Sequence, residues 1–455
     1  MTARPPRRPA PGLAARAAAL DLLAAVLHDR RPLDTALAGH RGLAGLAARD
    51  RGFARLLVST CLRRLGEIDA VLARCLARKP APRMRVARDL LRLGACQLLF
   101  LGTPPHAAVD GAVALAERRG QRPYKGLINA VLRRIARDGA ALGVEAGAEG
   151  RANSPDWLWA RWAAAYSEET ATAIAAAHLA EPPLDLTPRD PADAPALAER
   201  LDADLLPTGS LRLAAGPKGR IEDLPGFADG AWWVQDAAAA LPARLLLNAL
   251  PDGGRGAAIV DLCAAPGGKT AQLAAAGARV AAVERDARRL ALLTANLDRL
   301  GLAAEAIAAD AATWRPAAPV DGVLLDAPCT ATGTLRRHPD IARLKRPGDV
   351  ARMAAVQADL LAAAAEMLRP GGVLVYAVCS LQPEEGPDVV AARLADDPRL
   401  ERLPIRADEA GGLAALIDAA GDLRSLPCHL AERGGIDGFY GARLRRLGEA
   451  GKAGA

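Results

Sequence analysis

Two cysteines are the residues of this sequence whose types and spacing best suit catalysis. Cys329 follows the apolar run 320–326, and Cys379 follows a second apolar run over 372–378. Parallel strands end at one edge of a sheet, and ligands bind in the crevice there, so we expect the two thiols to converge in that crevice. Taken alone, either cysteine is also explained as a buried small hydrophobe, the commonest fate of a free thiol.

A glycine-rich loop precedes both cysteines in the chain. Residues 257–270 read AAIVDLCAAPGGKT, which is typical of a buried strand that turns tightly onto a helix. Its glycines allow the backbone to approach a ligand, and the helix N–H groups favour a polar or anionic guest. The spacing differs from that of a phosphate loop. Glu284 ends the next apolar run, where doubly wound sheets bind the ribose hydroxyls of a nucleoside cofactor.

The elements that must position these residues alternate between strand and helix patterns. Strands are predicted at 257–262, 279–283, 304–308, 320–326 and 372–378, and helices at 286–300 and 349–368. This alternation predicts an α/β doubly wound, Rossmann-like core with a parallel sheet covered on both faces. Near the C-terminus, residues 435–444 read as a turn and an edge strand that closes the sheet.

Composition divides the chain into several parts, so we expect a multidomain protein. Residues 1–12 are rich in proline and arginine and are predicted as a disordered tail, and 13–140 carry apolar residues at helical spacing, which predicts a bundle of about seven helices. A Gly/Ala/Glu-rich linker over 140–150 leads to a small α/β subdomain at 151–236. The catalytic core follows at 237–447.

The charge of the chain is unevenly distributed. Residues 1–150 contain 26 basic and 12 acidic side chains, whereas the remainder contains 33 basic and 40 acidic ones. A basic region of this kind suggests a polyanionic partner, and the alternative is a solvated arginine-rich surface.

Cysteine usage and hydropathy exclude several protein classes. The seven cysteines contain no CxxC pair, which argues against a secreted disulfide scaffold, and no further Cys or His ligands have metal-binding spacing. Arg16 and Asp21 interrupt any signal-peptide core. No uncharged run approaches the length of a membrane span. We therefore expect a cytoplasmic protein without a metal.

Three segments of the core together resemble a known enzyme family. DLCAAPGGKT, DAPCTATG and VCSLQPEEG are similar to segments of the NOL1/NOP2/Sun RNA cytosine-C5 methyltransferases. In the helical region, DLLRLGACQLLFL and YKGLINAVLRRIARDG resemble the NusB family of all-helical RNA-binding domains. With TLRRHPDI after Cys329, the chain is similar almost end to end to the Sun (RsmB-type) group, which acts on bacterial small-subunit (16S) ribosomal RNA.

The resemblance implies S-adenosylmethionine as methyl donor and assigns residues to its site. The loop after the first strand would wrap the methionine and adenosine portions of the cofactor, through Cys263, Ala264, Ala265, Pro266, Gly267, Gly268 and Lys269. Glu284 would hold the ribose, Asp310 would lie by the adenine, and Asp326 would lie where cofactor and base meet. Lys269 could instead cap its own loop.

The resemblance also implies a mechanism. C5 of cytosine is too weak a nucleophile to take a methyl group unaided, and addition of a thiolate to C6 activates it. Following the family's motif order, Cys379 makes this addition. Cys329 would assist loss of the C5 proton and release of the enzyme, and Asp326 would hydrogen-bond the N3 edge of the base.

Contacts with RNA are expected from two basic clusters. Arg133 and Arg134 end the helical region, where a solvated helix end is the alternative. Arg336, Arg337 and His338 follow the Cys329 loop and would hold phosphates, with a solvated turn as the alternative. We expect a monomer that acts on 16S rRNA, free or early in assembly. Transfer RNA or large-subunit rRNA is the second substrate hypothesis, and a non-catalytic RNA-binding regulator is the third.

Overall fold

The chain forms two compact units. The first contains the described residues up to Ala160 together with the separate segment Arg337–Lys345, and the second contains Arg161–Arg336 and the described residues from Arg346 onward. Of the predicted tail over 1–12, residues 1–11 lie outside the described residues. The structure, a computed structural model, describes residues 12–78, 81–143, 147–213, 216 and 219–448.

The first unit is helical, as the apolar spacing predicts. On α4, for example, Leu57, Val58, Cys61 and Leu62 are buried, a three-and-four repeat that presents one apolar face to the core. Its consecutive helices are α1 (Leu13–Leu27), α2 (Leu33–Ala38), α3 (Arg41–Ala44), α4 (Ala48–Arg63), α5 (Leu65–Cys75), α6 (Arg85–Leu99), α7 (Pro105–Arg118), α8 (Lys125–Asp138) and α9 (Glu149–Asn153).

The helix count differs slightly from the sequence prediction. About seven helices are expected over 13–140, and the described residues of that range form eight α-helices, α1–α8. The short helices α2 and α3 have six and four residues, too few for a periodic apolar pattern. α9 begins within the predicted linker over 140–150, of which residues 144–146 lie outside the described part of the chain.

Nine more α-helices, α10–α18, lie between Asp156 and Asp396 in the described chain. Asp286 caps α15 by accepting hydrogen bonds from the N–H groups of Arg288 and Arg289, and Gly301 ends the helix in the left-handed region (φ 63°). These helices are α10 (Asp156–Tyr166), α11 (Glu168–Ala177), α12 (Ala194–Leu201), α13 (Leu241–Ala249), α14 (Gly268–Ala275), α15 (Ala287–Leu300), α16 (Ile341–Leu344), α17 (Pro347–Met367) and α18 (Pro387–Asp396).

The segment Arg337–Lys345, which contains α16, folds as part of the first unit. The Asp340 carboxylate accepts a hydrogen bond from the backbone N–H of Leu33 (2.9 Å), and Arg343 donates to the carbonyl of Asn153 (2.8 Å). A piece of the chain some 200 residues downstream of the helical region therefore completes it.

A small antiparallel sheet follows α11 in the second unit. Its strand order is β2-β3-β1-β4, and α12 packs on it through Leu197, which joins a core with Leu186, Leu211 and Trp232. The four strands are β1 (Leu184–Pro188), β2 (Asp204–Leu205), β3 (Leu211–Leu213) and β4 (Trp232–Val234).

In the described part of the chain, the large sheet contains eight strands. Its strand order is β10-β12-β9-β8-β5-β6-β7, with β11 paired to β12. The strands are β5 (Ala258–Leu262), β6 (Arg279–Glu284), β7 (Glu305–Ala308), β8 (Val320–Asp326), β9 (Leu368–Val378), β10 (Leu400–Arg402), β11 (Leu423–Ser425) and β12 (Phe439–Arg446).

The sheet is mixed rather than parallel throughout. β9, β8, β5, β6 and β7 are parallel, as predicted, whereas β12 pairs antiparallel with both β9 and β10. The prediction of an edge strand over 435–444 is therefore wrong, because β10 lies outside β12. β10 has three residues, too few to show a strand pattern, and the side chains from Phe439 to Leu444 are buried, as an interior strand requires.

The strand order places the functional loops side by side. From β5 the chain adds β6 and β7 on one side, and then β8 and β9 on the other. The direction in which strands are added therefore changes between the neighbouring strands β5 and β8. Ligands of open α/β sheets bind beside the carboxyl ends of the strands where this direction changes.

Candidate active site

The loop after β5 is held by a buried carboxyl group and a tight glycine turn. Asp261 is fully buried and accepts a hydrogen bond from the Thr270 hydroxyl of α14 (2.6 Å). Burial raises the pKa of Asp261 to about 7. Gly267 precedes α14 at φ 99°, and a Cβ there would lie 2.9 Å from Cγ of Leu293. Both features fix where the loop meets the sheet.

Two acidic residues lie at the carboxyl ends of the next two strands. Glu284 is the last residue of β6, and Asp310 comes two residues after β7. Glu284 is 3% exposed, accepts a hydrogen bond from the Asp286 N–H (3.0 Å), and lies 3.1 Å from the Arg289 guanidinium. Asp310 accepts a hydrogen bond from the Ala312 N–H (2.9 Å). Both residues line one cavity of about 430 Å³.

The two cysteines meet in the same cavity. Cys329 follows β8, Cys379 follows β9, and their sulfur atoms lie 3.5 Å apart. The pairing of β8 with β9 in parallel is what brings them together, since both loops leave the same edge of the sheet. A hydrogen bond with the Cys379 thiol, together with burial, raises the pKa of Cys329 well above its ordinary value.

Cys263 differs from this pair. It lines the cavity, but burial, followed by the Asp326 carboxylate, raises the pKa of its thiol to about 12. It therefore stays protonated and contributes a neutral wall.

The predicted loop residues divide between two neighbouring cavities. The first cavity is lined by seven of them: Cys263, Ala265, Glu284, Asp310, Asp326, Cys329 and Cys379. A second cavity, of about 340 Å³, is lined by Ala264, Ala265, Pro266, Gly267, Gly268, Lys269 and Asp326. Asp326 and Ala265 belong to both, so they stand at the junction.

Lys269 and Asp326 form an ion pair at this junction. The ammonium group lies 2.8 Å from the carboxylate and 5.2 Å from the centre of the Phe439 ring. Burial opposes the charge of Lys269, but the Asp326 carboxylate outweighs it and raises the pKa of the lysine. Lys269 thus links the loop after β5 to the end of β8.

Sequence reasoning missed Glu385, which is fully buried between the two cysteine loops. Its carboxylate accepts hydrogen bonds from the Thr330 N–H (2.8 Å) and from the hydroxyls of Thr330 and Ser380. Gln357 donates to it at 3.3 Å. Thr330 and Ser380 directly follow Cys329 and Cys379, so one carboxylate ties both loops. The only signal was its place in VCSLQPEEG, where it resembles an acidic helix start.

The expected RNA contacts lie in different surroundings. Arg133 and Arg134 are exposed on α8. Arg336 is 1% exposed, lies 4.0 Å from Asp437 and packs against Gly435. Its burial speaks against the predicted phosphate contact, since a partnered guanidinium in the interior is not accessible to a strand of RNA.

The other two residues of that cluster belong to the first unit. His338 Nδ1 lies 3.3 Å from the Asp34 carboxylate, and the side chain is 43% exposed. Arg337 is half-buried.

Among the described residues, no helix is long and apolar enough to cross a bilayer.

Family models match both parts of the chain. One described as 16S rRNA methyltransferase RsmB/F matches residues 249–445. Another, described as the NusB family, matches residues 13–137. The two resemblances inferred from the sequence are thereby confirmed.

Curated relatives and solved structures agree with these matches. The chain is 37% identical to ribosomal RNA small subunit methyltransferase B of Pseudomonas syringae pv. tomato, over 97% of this chain and 98% of the relative. It is 39% identical to the protein of that name from Klebsiella pneumoniae, strain 342, over 78% and 83%.

Two crystal structures share the fold. That of PH0851 covers 97% of this chain and 100% of its own, with a TM-score of 0.71 and 21% identity. That of NSun6 from Pyrococcus horikoshii with SFG covers 65% and 99%, with a TM-score of 0.53 and 18% identity. With relatives above 30% identity along nearly its whole length, the chain belongs to the RsmB/F family of 16S rRNA methyltransferases.

Proposed function

We propose that the chain methylates C5 of a cytosine in 16S ribosomal RNA through a covalent bond between Cys379 and C6. As a member of its family it is a methyltransferase that uses S-adenosylmethionine. The observation that carries the proposal is the 3.5 Å separation of the Cys329 and Cys379 sulfur atoms in the cavity that Glu284 lines. A paired thiol is what a weakly nucleophilic carbon needs for activation and release.

The cavity fits the cofactor on chemical grounds. Glu284 presents a buried carboxylate at the end of β6, where it would hold the ribose hydroxyls. Asp310 would lie by the adenine, and the loop 263–269 would hold the methionine portion. When bound, S-adenosylmethionine supplies an electrophilic methyl group.

The two cysteines have separate tasks in this mechanism. The Cys379 thiolate adds to C6, and the electron pair of the C5–C6 double bond moves to C5, which then takes the methyl group. Cys329, which lies 3.5 Å from Cys379 between the sulfur atoms, removes the C5 proton once its own thiol has been deprotonated. The C–H electrons restore the C5–C6 double bond and expel Cys379.

Asp326 and Lys269 act at the edge of the base. Addition to C6 places negative charge on the ring, around N3 and O2. On the N3 edge of the base, the Asp326 carboxylate accepts a hydrogen bond from the N4 amino group, and the Lys269 ammonium group, 2.8 Å from that carboxylate, offsets the charge that develops on the ring. Because the target must leave its stack to reach both thiols, we infer that free 16S rRNA or an early assembly state is the substrate. The phosphates of this RNA would be contacted by Arg133, Arg134, Arg337 and His338.

Site mapping tests this proposal. The purified protein is incubated with labelled S-adenosylmethionine and unmodified 16S rRNA, 23S rRNA or tRNA, and the product is mapped by bisulfite sequencing. We expect one 5-methylcytosine in 16S rRNA. Product confined to tRNA or 23S rRNA, or no product with any of the three, would overturn the substrate assignment.

A cysteine series tests the nucleophile. Cys379→Ala should abolish methylation, whereas Cys428→Ala, a half-buried thiol outside both cavities, should retain it. Full activity of the Cys379→Ala variant would refute the covalent route.

A further inference from the structure

A third cavity lies between the small sheet and helices α13 and α14, and no step of the reaction uses it. Its volume is about 670 Å³, within the usual range for ligand sites. Three arginines, Arg189, Arg244 and Arg433, line it, and the lining residues include no carboxylate. A cavity with this charge attracts an anion.

Arg244 of α13 is one of these three arginines. Among the described residues its guanidinium has no hydrogen-bond or ion-pair partner, and it rests against Gly209, where a Cβ would lie 3.1 Å from Nη1. Gly209 has φ 78°, so the turn there both requires glycine and leaves room for the guanidinium. Burial alone lowers the pKa of Arg244, as expected where no negative charge lies nearby.

Two residues with buried hydroxyl groups, Thr208 and Thr187, also line this cavity. Thr208 is 1% exposed and Thr187 is 8% exposed, and the oxygen of neither has a hydrogen-bond partner among the described residues. Buried hydroxyls are normally satisfied, so an oxygen of a ligand in this cavity would give each of them a hydrogen-bond acceptor.

The turn that carries Thr208 is rigid. Gly411 packs against Pro207 so closely that a Cβ would lie 2.4 Å from the Pro207 carbonyl oxygen. The hydroxyl of Thr208 and the glycine under Arg244 are thereby fixed before any ligand arrives, which lowers the entropic cost of binding.

The cavity adjoins the proposed reaction site through Trp233. This tryptophan lines both the third cavity and the second cavity, which contains Lys269 and Asp326. The rest of the third cavity is apolar, with Pro188, Pro195 and Leu247 as examples. Apolar walls beside cations suit a nucleoside carrying a phosphate.

We propose that this cavity binds a phosphate, with its nucleoside, of the RNA strand beside the target cytosine. Arg244 donates to the phosphate oxygens, Thr208 and Thr187 donate through their hydroxyls, and the apolar wall takes the sugar and base. This inference rests on the proposed function, because the occupant is the RNA substrate.

Salt dependence of RNA binding provides the test. Binding of an unmodified 16S rRNA fragment is measured from 50 to 300 mM salt for wild type, Arg244→Ala and Arg244→Lys. Arg255→Ala is the matched control, since Arg255 is exposed and lies just before β5, at the opposite edge of the sheet from the cysteines. We expect Arg244→Ala to bind about tenfold more weakly and to lower the slope of log K against log salt by about one.

A second variant separates binding from folding. Thr208→Val removes only the hydroxyl and should leave the chain as stable as wild type or more stable, because a buried unpartnered polar group is lost. It should nevertheless bind RNA several-fold more weakly. The KM for RNA should rise in both variants, whereas kcat and S-adenosylmethionine binding should stay within about twofold.

Several outcomes would overturn the inference. These are equal salt slopes for Arg244→Ala and Arg255→Ala, unchanged RNA binding by Thr208→Val, or Arg244-dependent binding of cytidine monophosphate without any effect on RNA. Because the readout is binding, it stays informative if site mapping finds no methylated 16S rRNA, and the two failures are distinguishable.

Discussion

The ammonium group of Lys269 lies 2.8 Å from the Asp326 carboxylate, and this pair links the loop after β5 to the end of β8. Lys269 is in the first turn of α14, where the helix dipole disfavours a cation. Its charge is held there by Asp326, which stands between the two cavities. The loop that would hold the cofactor and the acid that would touch the base are therefore one electrostatic unit.

Removal of the lysine tests this link. Lys269→Met should lower kcat by about 100-fold, because it removes positive charge from a site where negative charge develops. The Kd for S-adenosylmethionine, measured by calorimetry, should change by less than about fivefold. A large loss of cofactor affinity with an unchanged kcat would instead assign Lys269 to the methionine carboxylate.

The release role of Cys329 is tested by trapping. Cys329→Ala retains Cys379 and lacks the base that removes the C5 proton, so we expect it to accumulate a protein–RNA adduct. The adduct should survive denaturant and run as a shifted band on a denaturing gel. Its absence, with methylation intact, would remove Cys329 from the release step. The double variant Cys329→Ala/Cys379→Ala is the control and should form no band.

The Glu385 clamp should matter to stability and to turnover. In Glu385→Ala, the Thr330 and Ser380 groups that the carboxylate binds lose a buried charged partner. We expect a loss of about 3 kcal/mol in the free energy of unfolding, measured in urea. Glu385→Gln should be milder in stability but lower kcat. Glu384→Gln is the matched neighbour, since Glu384 is 41% exposed and pairs with Arg161; equal losses in the two glutamine variants would contradict the clamp.

Asp261 should make stability depend on pH. Burial raises its pKa to about 7 in the folded chain, against an ordinary value of 3.8. The folded state thus holds a proton that the unfolded state has released, so stability falls as pH rises between these values and then levels off. Three pKa units correspond to at most about 4 kcal/mol. The stability of Asp261→Asn relative to wild type should therefore rise from pH 4 to 7, and a flat difference would refute the assignment.

Local patterns were enough to predict the central strands. β5, β6, β7 and β8 lie within one residue of the predicted bounds, because each is a short apolar run with a polar or small-residue stop. The meeting of Cys329 and Cys379 followed from the rule that parallel strands end at one edge.

Longer-range relations could not be predicted. The burial of Arg336 depends on Asp437, 101 residues later, and the role of Glu385 depends on hydroxyls in two separate loops. The position of β12 inside the sheet depends on β10, a strand of three residues. None of these partners leaves a periodic or spacing signal near the residue that it controls.

The segment Arg337–Lys345 has a consequence for synthesis of the chain. Asp340 and Arg343 satisfy backbone groups of Leu33 and Asn153, yet they emerge from the ribosome nearly 200 residues after the helices they complete. Those two hydrogen bonds can form only after the loops after β5 and β8 have been translated. A shortened gene that stops near residue 160 would therefore encode a helical unit without its last piece.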